Sequence, residues 1–197
     1  MTRRSAWQAM AILALAAGAL AWPVSARSVQ APNPRLILDT VKGEVEIELL
    51  LGDAPKSVEY ILALVRKNFY RGLRFHRAEK LLVQVGDPTS RDMTRKAWWG
   101  RTSATPAIGV AEIKRNLIHV RGTVALAHSG SPERASSQFY IMKETNSSLN
   151  GKYTIIGRVR AGMPVVDTIQ VGDILKQVTV KGQDRQSSQS PPAPGIG

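Results

Sequence analysis

Three short segments of this chain carry side chains suited to chemistry. Phe75-His76-Arg77 brings a guanidinium, Gln84-Val85-Gly86-Asp87 brings an amide, and Ser136-Ser137-Gln138-Phe139-Tyr140-Ile141 adds a second amide beside two aromatic rings. Arginine is always charged and holds its donors in a rigid fork. Next to neutral amides it can favour a state in which a bound group gains electron density, while the rings give an apolar seat. The chain has no cysteine, and His76, His119 and His128 are far apart in sequence. No zinc-ligand spacing results, so neither a metal nor a cofactor is expected.

Short elements must position these groups. From Arg35 to Leu51 apolar and polar residues alternate on either side of Val41-Lys42-Gly43, which predicts a hairpin with one wet face. Asp53-Ala54-Pro55 opens a helix, with Asp53 as the expected cap and Pro55 in the first turn. Val58, Ile61, Leu62 and Val65 form its apolar stripe. Strands are expected over Phe75–Gln84 (two, turning near Glu79-Lys80), Gly122–Ala127, Gln138–Met142, Ile155–Val159 and Ile174–Lys181. A second short helix is expected over Pro164–Gln170. On the 138–142 strand Phe139 and Tyr140 must point to opposite faces, which assigns Phe139 to the core. The stretch from Asp87 to Asn116 has little pattern. It reads as a functional loop whose Trp98 and Trp99 could flank a groove. Many short strands with two helices suit an antiparallel barrel or a sandwich, and periodicity does not choose between them.

The 197 residues are enough for one ordinary domain, with a hydrophobic fraction of 43%. Residues 1–26 have the layout of a secretory signal peptide: Arg3-Arg4, an apolar run from Ala9 to Trp22, and Val24-Ser25-Ala26 as the cleavage pattern. The alternative is an uncleaved membrane anchor. Residues 27–34 form a polar lead, 35–181 the domain, and 182–197 a Gln-, Ser-, Pro- and Gly-rich tail expected to be disordered. Export without any cysteine suits a bacterial periplasmic domain that stands on its core alone. The formal charge is +12, or +10 without Arg3 and Arg4. That excess allows weak association with anionic membranes, while nucleic acid is not an expected partner of an exported protein.

The three segments, in this order and with these gaps, resemble the signature of the cyclophilin-type peptidyl-prolyl cis/trans isomerases. The resemblance runs from about Arg35 to Lys181 and includes Gly86-Asp87-Pro88-Thr89, Leu149-Asn150-Gly151-Lys152 and Gly157-Arg158-Val159. It implies a mainly β fold, a closed antiparallel eight-stranded barrel capped by two helices. It also implies an activity, acceleration of X–Pro rotation, with proline-containing polypeptides and unfolded exported proteins as partners. By the same resemblance Arg77 is the catalytic cation and Gln84 steadies it. Phe75, His76, Leu81, Leu82, Gln138, Tyr140 and Leu149 line the substrate site, and Ala127-His128 hold the substrate chain by their backbone.

The chain also departs from the family pattern. It is one residue short between Arg77 and Gln84, and Leu81 stands where an aromatic is expected. Val85 replaces the first glycine of a usual pair, and Tyr153 replaces a pocket histidine. Ser148 stands where many members carry tryptophan, so cyclosporin binding is expected to be weak. The alternative function is a proline-segment binding module or chaperone with little or no turnover.

Overall fold

Alternation in the first segment becomes a hairpin. In the computed structural model, which describes residues 32–101 and 105–181, β1 (Arg35–Thr40) pairs antiparallel with β2 (Gly43–Leu49). Leu36, Leu38, Val45, Ile47 and Leu49 are buried, and the glutamates between them face outward. The signal-like stretch 1–26, most of the lead and the 182–197 tail lie outside the described residues.

Helix α1 (Pro55–Arg66) follows, with Val58, Ile61, Leu62 and Val65 buried as the stripe requires. Its cap corrects the sequence expectation. Ala54, not Asp53, occupies the cap position and offers no side-chain bond. The first-turn donors are met from a distance: the Lys56 and Ser57 amides donate to the Glu112 carboxylate at 3.1 and 2.8 Å. A carboxylate at a helix N-terminus satisfies orphan N–H groups and complements the dipole. Glu112 also ties the poorly patterned stretch to the helix.

The remaining strands are β3 (Leu73–Arg74), β4 (Arg77–Ala78), β5 (Leu82–Val85), β6 (Thr123–Leu126), β7 (Phe139–Met142), β8 (Ile155–Ala161) and β9 (Ile174–Val180), with the short helix α2 (Met163–Thr168) before β9. They form one antiparallel sheet in the order β3-β9-β1-β2-β8-β6-β7-β5-β4. Among the described residues nine strands stand where eight were expected, because the run from Leu73 to Ala78 is broken at Phe75-His76. Its first half bonds to β9, and the Phe75 amide extends that pairing to the Asp173 carbonyl at 3.0 Å. Its second half bonds to β5, beginning with the His76 amide on the Gln84 carbonyl at 3.1 Å. The two ends of the sheet are thus halves of one stretch of chain, and the sheet curls back on itself through it.

Side-chain alternation sorts the sheet into two faces. Val83, Val85, Val124, Leu126, Phe139, Ile141 and Ile156 enter the main core with α1. Leu82, Ala125, Tyr140, Met142 and Ile155 form a smaller apolar layer on the opposite face, with Leu81, Ala127, Leu149 and Tyr153 packed against it. Phe139 is in the core and Tyr140 opposite, as period two demands.

Candidate functional site

The smaller apolar layer is the floor of the site. Residues directly opposite in antiparallel pairs share a face. The register aligns Arg77 with Gln84, Gln84 with Tyr140, Tyr140 with Ala125, and Ala125 with Ile155. Segments far apart in sequence thus become one row of side chains across five neighbouring strands. Above the row lies a groove of about 520 Å³ lined by His76, Arg77, Leu81, Leu82, Gln84, Ala127, His128, Tyr140 and Leu149 among the residues expected from sequence. Gln138 lines an adjoining recess of about 150 Å³ that shares Gln84, Ala127 and His128 with the groove.

Phe75 is the exception. It is fully buried in the main core and does not line the groove. Phe75 and His76 are neighbours in an extended run, so one of them must face inward, and His76 takes the groove side.

Gln84 also differs from its expected part. Its Nε2 donates to Gln138 Oε1 at 2.9 Å. Arg77 is held instead by Glu79: Nε donates to Oε1 at 2.7 Å and Nη2 to Oε2 at 2.8 Å. This bidentate fork raises the arginine pKa further and holds the Glu79 carboxyl below its ordinary range, with the hydrogen bonds as the largest cause in both.

The unpatterned stretch after Asp87 supplies the second wall. Asp87 is fully buried. Its Oδ1 accepts from the Thr89 amide and hydroxyl at 2.9 and 2.8 Å, and its Oδ2 accepts from the Gly100 amide at 2.6 Å. One carboxylate thereby starts the 3-10 turn at Pro88–Arg91 and brings Trp99-Gly100-Arg101 to the groove rim. Gly100 has a φ of +79°, and a Cβ there would lie 2.8 Å from His76 Cδ2, so glycine lets the loop close on the histidine ring. Trp99 lines the groove, while Trp98 points outward, 59% exposed. Sequence reasoning did not find Gly100 or Arg101. Their adjacency to Trp98-Trp99, read from the sequence as flanking a groove, is a signal that points there.

The aromatic wall missing at Leu81 is rebuilt from the other side. Tyr153 meets Tyr140 edge-on at 5.6 Å, and His128 packs on Tyr153 at 4.6 Å. Beneath Tyr140 lies His119, which sequence reading singled out only as an unlikely metal ligand. Its Nε2 is 3.0 Å from the Tyr140 hydroxyl, and its Nδ1 and amide meet Asn150 Oδ1 at 3.1 and 2.8 Å. Burial pushes the His119 and His76 pKa values down and the Tyr140 phenol up. The Ala127 amide is taken by the Gln138 carbonyl at 2.9 Å, so the strand itself fixes the height of Gln138.

In chemical terms the site is a fixed cation at the edge of an apolar hollow, with two amides locked together beside it. It can hold a proline ring and stabilise electron density gained at its nitrogen.

Comparison with known proteins agrees. The sequence model for "Cyclophilin type peptidyl-prolyl cis-trans isomerase/CLD" matches residues 35–190. A Brucella suis protein named a probable peptidyl-prolyl cis-trans isomerase is 37% identical over 190 residues, covering 92% of both chains. The rat peptidyl-prolyl cis-trans isomerase-like 3 is 36% identical over 135 residues, covering 68% of this chain and 80% of its own. A solved cyclophilin-type isomerase from Cryptosporidium parvum shares the fold with a TM-score of 0.64 at 24% identity, over 75% of this chain and 97% of that one. With the register row, the groove and these relatives in agreement, the chain belongs to the cyclophilin-type peptidyl-prolyl cis-trans isomerases.

Proposed function

We propose that this isomerase works through Arg77 and acts on exported polypeptides. The barrier it must lower is set by the partial double bond of the amide, about 18–20 kcal/mol. In the twisted state the proline nitrogen pyramidalises and localises a lone pair. A cation that donates to that lone pair binds the twisted state better than either planar form, which is the condition for catalysis. Tyr140, Leu82 and Leu149 seat the ring, and Arg77 lies at the hollow's edge. The Gln84–Gln138 amide pair and the backbone at Ala127-His128 face the chain on either side of the proline. The C. parvum enzyme has been crystallised in the presence of the dipeptide Ala-Pro, and the same chemistry is proposed here. The observation that carries the reading is the register row that sets Arg77 and Gln84 against Tyr140 within one groove.

The test is cis-to-trans exchange in a short Ala-Pro-Phe peptide. Arg77→Ala is expected to lose on the order of 10²–10³-fold in kcat, as for removal of one preorganised donor. Its stability should change by less than about 1 kcal/mol, because the Arg77–Glu79 pair is about half exposed. Full turnover in a folded Arg77→Ala protein refutes the role. Peptide binding without acceleration by the wild type would put a binding module in its place.

The export reading rests on the layout of residues 1–26. Fractionation of cells making the tagged chain should recover a shortened periplasmic form, and recovery of the full length in the cytoplasm would end it. Weak anionic-membrane association is supported by Met93 and Trp98, both exposed, beside Arg95 and Lys96. Loss of sedimentation with anionic vesicles at high salt is the expected sign.

A further inference from the structure

We infer that Glu79 is a positioning residue of this site: it holds the Arg77 guanidinium at the groove edge, the part that Gln84, bonded to Gln138, does not play. The inference rests on the reading of Arg77 as the catalytic cation and adds how that cation is kept in place.

Geometry supports it from three sides. First, the fork is bidentate and uses Nε and Nη2, which leaves the Nη1 donors for a substrate. Two parallel bonds fix both the direction and the plane of a guanidinium, which a single bond does not. Second, Arg77 lines the groove and Glu79 does not, so the carboxylate grips the arginine without occupying the place of the peptide. Third, Glu79 is itself anchored. Its amide donates to the Leu82 carbonyl at 2.9 Å in the turn between β4 and β5, and Arg77 starts β4 opposite Gln84. Both ends of the fork therefore sit on backbone that is bonded to β5. A free arginine side chain has many rotamers, and each is lost when the substrate orders it. An arginine already held loses fewer, and the gain appears in the chemical step.

The one-residue shortening between Arg77 and Gln84 falls in this turn. Residues 77 and 79 share a face by period-two alternation along chain bonded to β5, so the carboxylate just before the turn can reach the guanidinium. The departure from the family pattern and the substitute grip are in the same place.

The test is peptide isomerisation by the full chain and its Glu79→Ala, Glu79→Gln and Arg77→Ala variants, with kcat and KM separated. Glu79→Ala should lower kcat roughly two- to fivefold, within the range of a half-exposed ion pair, with KM changed less than about twofold. Glu79→Gln keeps one acceptor and should recover part of the loss. In the Arg77→Ala background Glu79→Ala should have no further effect. All three variants alter exposed side chains and should melt within a few degrees of the wild type. A kcat that is unchanged or raised in Glu79→Ala overturns the inference, since the carboxylate would then be idle or masking the cation. A further fall in the Arg77→Ala background also overturns it, because Glu79 would be acting elsewhere. Unimpaired turnover in Arg77→Ala alone would overturn the reading of Arg77 itself and, with it, the inference.

Discussion

The Tyr140 hydroxyl makes a buried bond whose loss can be worked through. Tyr140 is 3% and His119 1% exposed. Asn150 Oδ1 can only accept, so the proton of the neutral imidazole is assigned to Nδ1 and the Tyr140 O–H donates to Nε2. Tyr140→Phe keeps the ring, its edge-on contact with Tyr153 and the groove floor, but leaves Nε2 buried without a donor. Such an orphaned acceptor costs about 1–3 kcal/mol. For a domain of this size each kcal/mol lowers Tm by about 2–4 °C, so a drop of roughly 2–12 °C is expected. In a cycle with His119→Leu the two changes should couple by about 0.5–3 kcal/mol, the double variant losing less than the sum. Differential scanning calorimetry and urea titration measure both quantities. Isomerase kcat should stay within about twofold, because the ring and not the hydroxyl faces the proline. An unchanged Tm with additive single effects would refute the bond, and a large fall in kcat at unchanged stability would refute the division of labour between ring and hydroxyl.

Other outcomes follow from the same kind of argument. Gly86→Ala should fail to fold or lose several degrees in Tm, because a Cβ there would stand 2.3 Å from the Ser137 carbonyl oxygen at a φ of +114°. Circular dichroism on heating checks this. Glu112→Ala removes the distant cap of α1 and should cost about 1 kcal/mol in urea unfolding with little effect on turnover. Acid should weaken the fold before the carboxylates titrate. The pKa values of His76 and His119 are lowered in the folded chain, so below about 6.5 the unfolded chain binds protons that the native one resists. Their contribution is full above that pH and is lost as pH falls through it toward the lowered native values. The urea midpoint should therefore decline from pH 7 to 5.5, and a flat profile would contradict the burial argument.

Strands and the main helix were legible because alternation and the i, i+3, i+4, i+7 stripe are local signals. Arg77, Gln84, Gln138 and Tyr140 were legible because their order and gaps match a known pattern, and the register shows why those gaps work. What escaped was non-local. Asp53 has the right chemistry for a cap, yet Glu112 supplies the bonds from 55 residues away. Phe75 belongs to the signature, but the face it takes depends on which neighbour the groove needs, and His76 won. Arg77 and Glu79 share a face by alternation, but alternation does not say that they pair, and the engagement of Gln84 by Gln138 depends on the register of β5 with β7. Neither bond can be named from periodicity alone. Residues 87–101 have no pattern because 3-10 turns and a buried aspartate, not repeated apolar positions, set their path.

The broken run at Leu73–Ala78 has a consequence for the ends of the sheet. A sheet that ended at β3 and β4 would offer unpaired N–H and C=O groups to any extended polypeptide, which is how strand addition and aggregation begin. Here the outward N–H of Arg74 is capped by the Ser90 hydroxyl at 3.0 Å, and the Arg91 guanidinium bonds the carbonyls of Arg71, at 3.1 Å, and of Phe69. The turn that Asp87 starts therefore shields one end of the sheet as well as walling the groove. An extended chain that meets β3 at this end finds the Arg74 amide already bonded.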